Sequence, residues 1–225
     1  MRPYSLATVA MLAMALVPGV AQAQRGRVHA QESASCPVDT AAAWYKKQRQ
    51  WNDESQQHWT DDAFRQELLR GAGLTVEQAL DVHPGFELVG TGAPAADESQ
   101  APVLDRLRAL TKNRQSIWPT RSVVGAAGVR AVWNLSARDT LLSVVTLHRM
   151  MEAGPDESPP AAVAVMDDRL RIRAGRKQIY ATQLVVGANG DLVPAPTEDL
   201  PHVELRREAA GLPPLSTSLC LAKKH

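Results

Sequence analysis

The chain reads as an α+β protein, mostly helical with one small antiparallel sheet, and three features carry that reading. Several segments repeat apolar residues at helical spacing behind capping residues. One stretch, RKQIYATQLVV from Arg176 to Val186, alternates as a strand does. It runs into Asn189-Gly190, a type I′ hairpin signal, and Leu192-Val193 lead back along an edge marked by Pro194 and Pro196. The hairpin is placed near residues 178–194.

Taken in order, residues 1–23 read as a secretory signal. Arg2 supplies a basic start, Leu6–Val17 an apolar run, Pro18-Gly19 a break and Ala21-Gln22-Ala23 a cleavage site before Gln24. The run is too short to span a bilayer comfortably, so no stable membrane insertion is expected after cleavage. The expected location is the periplasm or the medium outside the cell. Residues 24–35 are small and polar and read as a flexible leader.

Residues 36–86 form an N-terminal helical region. A helix from Thr40 to His58 puts Trp44 and Trp51, seven apart, on one face. Thr60 is set to cap a second helix, with Asp61 and Asp62 in its first turn and Phe64, Leu68 and Leu69 as its apolar side. Thr75 and Gln78 make a capping box for a short third helix, stopped by His83-Pro84-Gly85. Residues 87–101 read as a linker or surface loop.

Residues 102–225 form the α+β domain. Val103, Leu104, Leu107 and Leu110 have helical spacing, and SIWPTRSVVG then bridges to a helix holding Val129, Val132 and Trp133. Asp139 caps a helix through Leu141, Val144, Val145, His148 and Met151. From Ser158, a proposed cap, the prolines, Val163, Met166 and Leu170 indicate a helix ended by Gly175. Alternation at Leu170, Ile172 and Ala174 also permits a strand there, but caps and length favour helix. After the hairpin, a last helix starts around Pro201, uses Val203, Leu205 and Ala209, and stops at Gly211. The tail runs on through Cys220.

Charge removes some function classes. The signal segment's only charged side chain is Arg2, so a mature chain would carry 24 basic and 24 acidic residues. The signs are interspersed, with no basic stripe for nucleic acid and no acidic tail. Two cysteines, Cys36 and Cys220, lie near opposite ends; in an oxidising compartment they are expected to form a disulfide. No C-x-x-C, H-E-x-x-H, G-x-S-x-G or glycine-rich phosphate loop is present, and neither a metal nor a cofactor is indicated. His148 and Glu152, four apart, lack a third ligand at a recognised spacing, and His148 on an apolar face reads as a core histidine.

From about Arg106 to Ser218 the chain carries RLRAL, WPTRSVVG, AVW, MDDRLRIRAGRKQIYATQ, GDLVPAPTED and VELRREAAGLPPL in order. This run resembles an uncharacterised bacterial family catalogued as a domain of unknown function. The likeness covers about half of the chain. The family pattern follows the AVW tryptophan with Gln-His and an acidic residue. Here that stretch is NLSARDT, with no histidine and with Ala137 or Arg138 in its place. The family's Tyr-Gly-Thr-Gln becomes Tyr180-Ala181-Thr182-Gln183. The resemblance implies no established activity; if the histidine is catalytic in relatives, this copy is inactive or altered.

The candidate site combines Asp168, Arg169, Gln178, Tyr180, Thr182 and Gln183, from a helix end and the strand after it. Asp168 is suited to acid–base work or to fixing a hydroxyl, and Arg169 to holding a carboxylate or phosphate. The others offer oriented donors and acceptors. The competing reading is structural: Asp168 pairs with a neighbouring arginine and Gln183 ties down backbone. Trp118, before Pro119, is a candidate aromatic wall or a loop anchor. Trp44, Trp51 and Trp59 offer a stacking surface or simple packing. Arg171, Arg173, Arg176 and Lys177 offer an anion grip or a solvated helix end.

Three functions follow. The leading expectation is a non-catalytic or degenerate envelope protein that binds a small molecule or an envelope protein through YATQ and Asp168-Arg169. The second is a hydrolase or transferase with Asp168 as acid/base and Arg169 orienting an anionic group. The third is a structural or interaction module using the tryptophan-bearing helices.

Overall fold

The most buried helix organises the molecule. In the computed structural model, which describes residues 38–81, 85–89, 98–113 and 115–223, α5 (Arg121–Ser136) is apolar on nearly every side. Around it lie α1 (Val38–Asn52), α2 (Asp62–Ala72), α3 (Val76–Leu80) and α6 (Thr140–Ala153). Small residues Ala126, Ala127, Gly128 and Ala131 let these neighbours approach closely. α4 (Ala101–Lys112) brings Leu104 and Leu107 to the same core as Leu68 and Leu135. Each such leucine stabilises the fold by about 1.5–3 kcal/mol. α7 (Pro160–Arg173) packs on α6 and leads to the sheet.

The sheet is small and mixed. β1 (Glu87–Leu88) pairs parallel with β2 (Gln183–Val186), and β2 pairs antiparallel with β3 (Leu192–Pro194). The register sets Glu87 beside Gln183 and Val185 beside Val193. A second apolar cluster of Phe86, Leu184 and Ala222 covers it. α8 (Val203–Ala209) and α9 (Leu215–Ala222) close the chain. The α+β class stands.

Several capping expectations hold. Thr75 and Gln78 form the reciprocal capping box of α3, and Asp139 accepts from the Leu142 N–H to start α6. α7 ends with Gly175 at φ +68°.

Other expectations are corrected. The sheet was expected to be antiparallel only, but a third strand enters from the stretch read as a linker. Glu87–Leu88 is β1, and Glu98–Gln100 is a 3-10 turn leading into α4. Asp61, one residue after the expected Thr60, caps α2 by accepting from the Phe64 N–H at 2.8 Å. Ser158 makes no cap for α7; the helix starts on prolines. α5 begins inside the expected bridge, and its two parts meet at Gly125, where φ is +72°. The tail contains α9. The hairpin loop is not type I′, because only Gly190 has positive φ. A Gly190 N–H bond to Gly187 O makes a tight turn followed by a left-handed glycine. His148 is exposed and paired with Glu152 at 3.0 Å, so it is not a core histidine.

The strand Arg176–Val186 is the largest correction. Only Gln183–Val186 is strand, because Ala181 has φ +55° and breaks the alternation. The signal segment, the leader and Cys36 lie outside the described residues. Cys220 sits on α9, which lies against α1. Among the described residues no helix is long and apolar enough to cross a membrane.

Candidate functional site

The predicted residues do meet, but around backbone. Asp168 is fully buried on α7 and accepts from the N–H groups of Ile179 at 2.7 Å, Tyr180 at 3.1 Å and Thr182 at 3.0 Å. The Thr182 hydroxyl donates to it at 2.8 Å. Burial pushes the Asp168 carboxyl up from the ordinary carboxylate value, while these donors pull it down; burial prevails. All its acceptor directions face the turn 179–182.

The carbonyls of the same turn point the other way, onto two arginines of α8. Arg206 donates through Nε to Ile179 O at 2.9 Å. Arg207, fully buried, donates through Nη1 to Tyr180 O at 2.7 Å and Ala181 O at 3.2 Å. Its other nitrogens reach Pro213 O and the Ser218 hydroxyl, at 2.8 and 2.7 Å. Burial lowers the Arg207 pKa to about 10. Asp168 and the arginine pair thus form a clamp on opposite sides of one backbone turn. Ala181 is the residue that the clamp holds left-handed.

Gln178 and Gln183 belong to the same framework. The buried Gln178 amide donates to Gln183 O and Ala195 O and accepts from the Gln183 N–H, at 2.9–3.0 Å. It ties the backbone at Gln183 to the backbone at Ala195. Gln183 donates to Glu87 Oε2 at 3.1 Å. Arg169 forms a two-point ion pair with Glu87, one bond at 2.8 Å and a second short one through Nη2. The side chains predicted as a ligand site are therefore mostly ties between α7, the turn and the sheet. Trp118 is buried in the main core and lines no cavity described below.

Tyr180 differs. Its ring reaches a groove of about 440 Å3 between α6, α7 and α8, bordered by Met150, Met151, Val163, Ala209 and Ala210. Its hydroxyl makes no hydrogen bond among the described residues. Burial, then the charges of Asp167 and Asp168, raise its pKa, so it stays a neutral donor. Arg206 also borders the groove but is committed to Ile179, Glu198 and Asp199 carbonyls.

A smaller cavity on the other side of Met150 holds a residue that sequence reasoning missed. Arg130 of α5 lines it with Gln48, Trp51, Asn52, Asp81 and Trp133. The guanidinium lies 4.2 Å from the Trp133 ring centre and makes no hydrogen bond or ion pair among the described residues. Burial lowers its pKa to about 10, with Glu87 and Asp81 opposing and Arg169 reinforcing that shift. One signal was available: Arg130 is the lone charge within the apolar run VVGAAGVRAVW.

The remaining candidates separate from the site. Arg171 pairs with Asp167 at 3.1 Å, and Arg173 donates to Ala137 O at 2.9 Å. Arg176 and Lys177 are exposed. Trp44 is buried, and Trp59 lies under Arg65. Among the described residues no group of three His, Cys, Asp or Glu side chains is placed to hold a metal.

No family model, curated protein or solved structure matches the chain. The family likeness of the motif run stays an expectation from the sequence, and function is read from geometry.

Proposed function

We propose that the protein is an exported envelope protein that binds a small, largely apolar molecule in the Tyr180 groove and performs no acid–base step at Asp168. The observation carrying this reading is Tyr180 itself: a phenol whose hydroxyl is uncommitted among the described residues, bordering a groove of about 440 Å3. Ligand pockets span roughly 300–1,000 Å3, with apolar walls and a few oriented polar groups. Here the walls are mostly methionine, proline, valine and alanine, and the phenol stands among a few polar groups with Ser158 and Arg206.

An Asp168-centred hydrolase or transferase has less support. A general acid or base must come within hydrogen-bond reach of a substrate proton. Asp168 spends its oxygens on three backbone N–H groups and Thr182. An interaction role for the tryptophan-bearing helices is weakened by the burial of Trp44.

Export and the Cys36–Cys220 bridge belong to the same proposal. Secreted protein, unfolded without reductant, is expected to show no titratable thiol; two free thiols would remove the bridge.

The groove is tested with Nile red, a neutral apolar dye, and a thermal-shift screen of neutral envelope metabolites. Dye fluorescence is expected to rise on binding and to fall strongly in Met151→Asp, with Tyr180→Phe weakening ligands that carry an acceptor. Equal binding by the parent and Met151→Asp would exclude the groove.

A further inference from the structure

Charged side chains inside proteins are almost always paired. Arg65 has Glu54 at 2.7 Å, Arg169 has Glu87, and Arg207 has four oxygen acceptors. Among the described residues Arg130 breaks this pattern. It is half-buried, it lines a cavity, and its contact is the face of Trp133 at 4.2 Å. A cation–π contact contributes about 0.5–2 kcal/mol and leaves the donors of a guanidinium unused.

We propose that Arg130 anchors a second binding site, distinct from the Tyr180 groove, which takes the carboxylate of a short-chain aliphatic monocarboxylic acid. The cavity is about 30 Å3. One buried water needs about 10–15 Å3, so the space suits the two oxygens of a carboxylate. A guanidinium presents paired N–H donors that match a carboxylate edge-on. Gln48, on the same wall, makes no hydrogen bond among the described residues and supplies a further amide donor.

Charge limits the ligand to a single negative charge. Asp81 lines the cavity and Glu87 acts on Arg130 from nearby, so a dianion would meet two carboxylates. The rest of the lining limits the tail. Ala126, Val129, Met150 and Ala162 are apolar and add no polar partner, so the carboxylate alone is held within the cavity and its chain must be short. The partial desolvation that lowers the Arg130 pKa also strengthens its attraction for an anion, because the surrounding dielectric is low.

The experiment is calorimetric titration and thermal shift of the full chain with propionate and butyrate at constant ionic strength. Inorganic phosphate and neutral propionamide run as parallel arms. Saturable binding and a raised Tm are expected for the two carboxylates only. Arg130→Gln is expected to weaken binding at least tenfold, and Gln48→Ala by several-fold. Without ligand, Arg130→Gln is expected to match or exceed the parent's stability, since a desolvated unpaired charge is removed. Gln48→Ala, on a half-exposed position, guards against a folding artefact in the arginine variant. Tyr180→Phe is expected to leave carboxylate binding unchanged, which separates this site from the groove. The proposal is overturned if the carboxylates do not bind, if phosphate or propionamide binds as well, or if Arg130→Gln binds as the parent does.

Discussion

Asp168 and Arg207 hold the two polar sides of one turn, and that shapes what substitutions there do. Asp168→Asn keeps the size but presents an amide NH2 to backbone N–H groups that need acceptors. Leaving such buried donors unmatched costs about 1–3 kcal/mol each, so a loss of about 3 kcal/mol in urea unfolding is expected. A change below about 0.5 kcal/mol would contradict the clamp. Ala181 sits inside the turn, buried, at φ +55°. A β-branched side chain is strained at positive φ, and it would also overfill the site. Ala181→Val is expected to lower stability by about 2–4 kcal/mol, a loss visible as an earlier urea midpoint with unchanged slope.

At the scale of elements, helix starts hold the best-defined electrostatics. Asp139 accepts from the Leu142 N–H at 3.0 Å and from Arg108 at 2.9 Å. The backbone bond to Leu142, ahead of the arginine, holds its carboxyl below the ordinary 3.8. A depressed carboxyl stabilises the fold above its unfolded pKa, and that stability is lost as pH falls through the folded value. Asp139→Ala is therefore expected to cost about 1 kcal/mol at neutral pH. The gap from the parent should stay full down to about pH 4 and close below it. A gap of constant size down to pH 2 would assign the effect to packing. The kink of α5 is a second local device. Gly125 at φ +72° lies against Glu54 and Trp59, and Glu54 accepts from the Ala127 N–H at 3.0 Å. The carboxylate thereby caps the second part of the helix where no capping side chain precedes it in sequence.

For the whole molecule, Glu87 joins what the chain separates. It enters from a stretch with loop composition, pairs as β1 with β2, and receives Arg169 and Gln183 from the other half. Glu87→Gln leaves Arg169 buried without its carboxylate. Breaking a buried pair costs about 3–5 kcal/mol, reduced here because Glu87 is partly exposed. A loss of about 2 kcal/mol in chemical unfolding is expected, and Arg169→Met in the same background should recover part of it. If Glu87→Gln changed nothing, the pair would be a surface contact without weight.

Much of the helical content was legible because it is local. Caps such as Asp139 and the Thr75–Gln78 box, the glycine stops and the apolar spacing act within a few residues, so the chain alone specifies them. The opposite holds for the candidate site. Asp168, Gln178, Tyr180 and Gln183 were recognised as polar residues brought near one another, yet local pattern could not say whether they face a ligand or their own backbone. That was decided by Arg206 and Arg207 arriving from α8 and by Glu87 arriving from β1, contacts far apart in sequence. The left-handed Ala181, which turns a strand pattern into a clamp, exists only because those long-range bonds hold it there. The same packing left Arg130 over Trp133 without an oxygen partner among the described residues: its place in an apolar run was visible in the sequence, and its surroundings only in the fold.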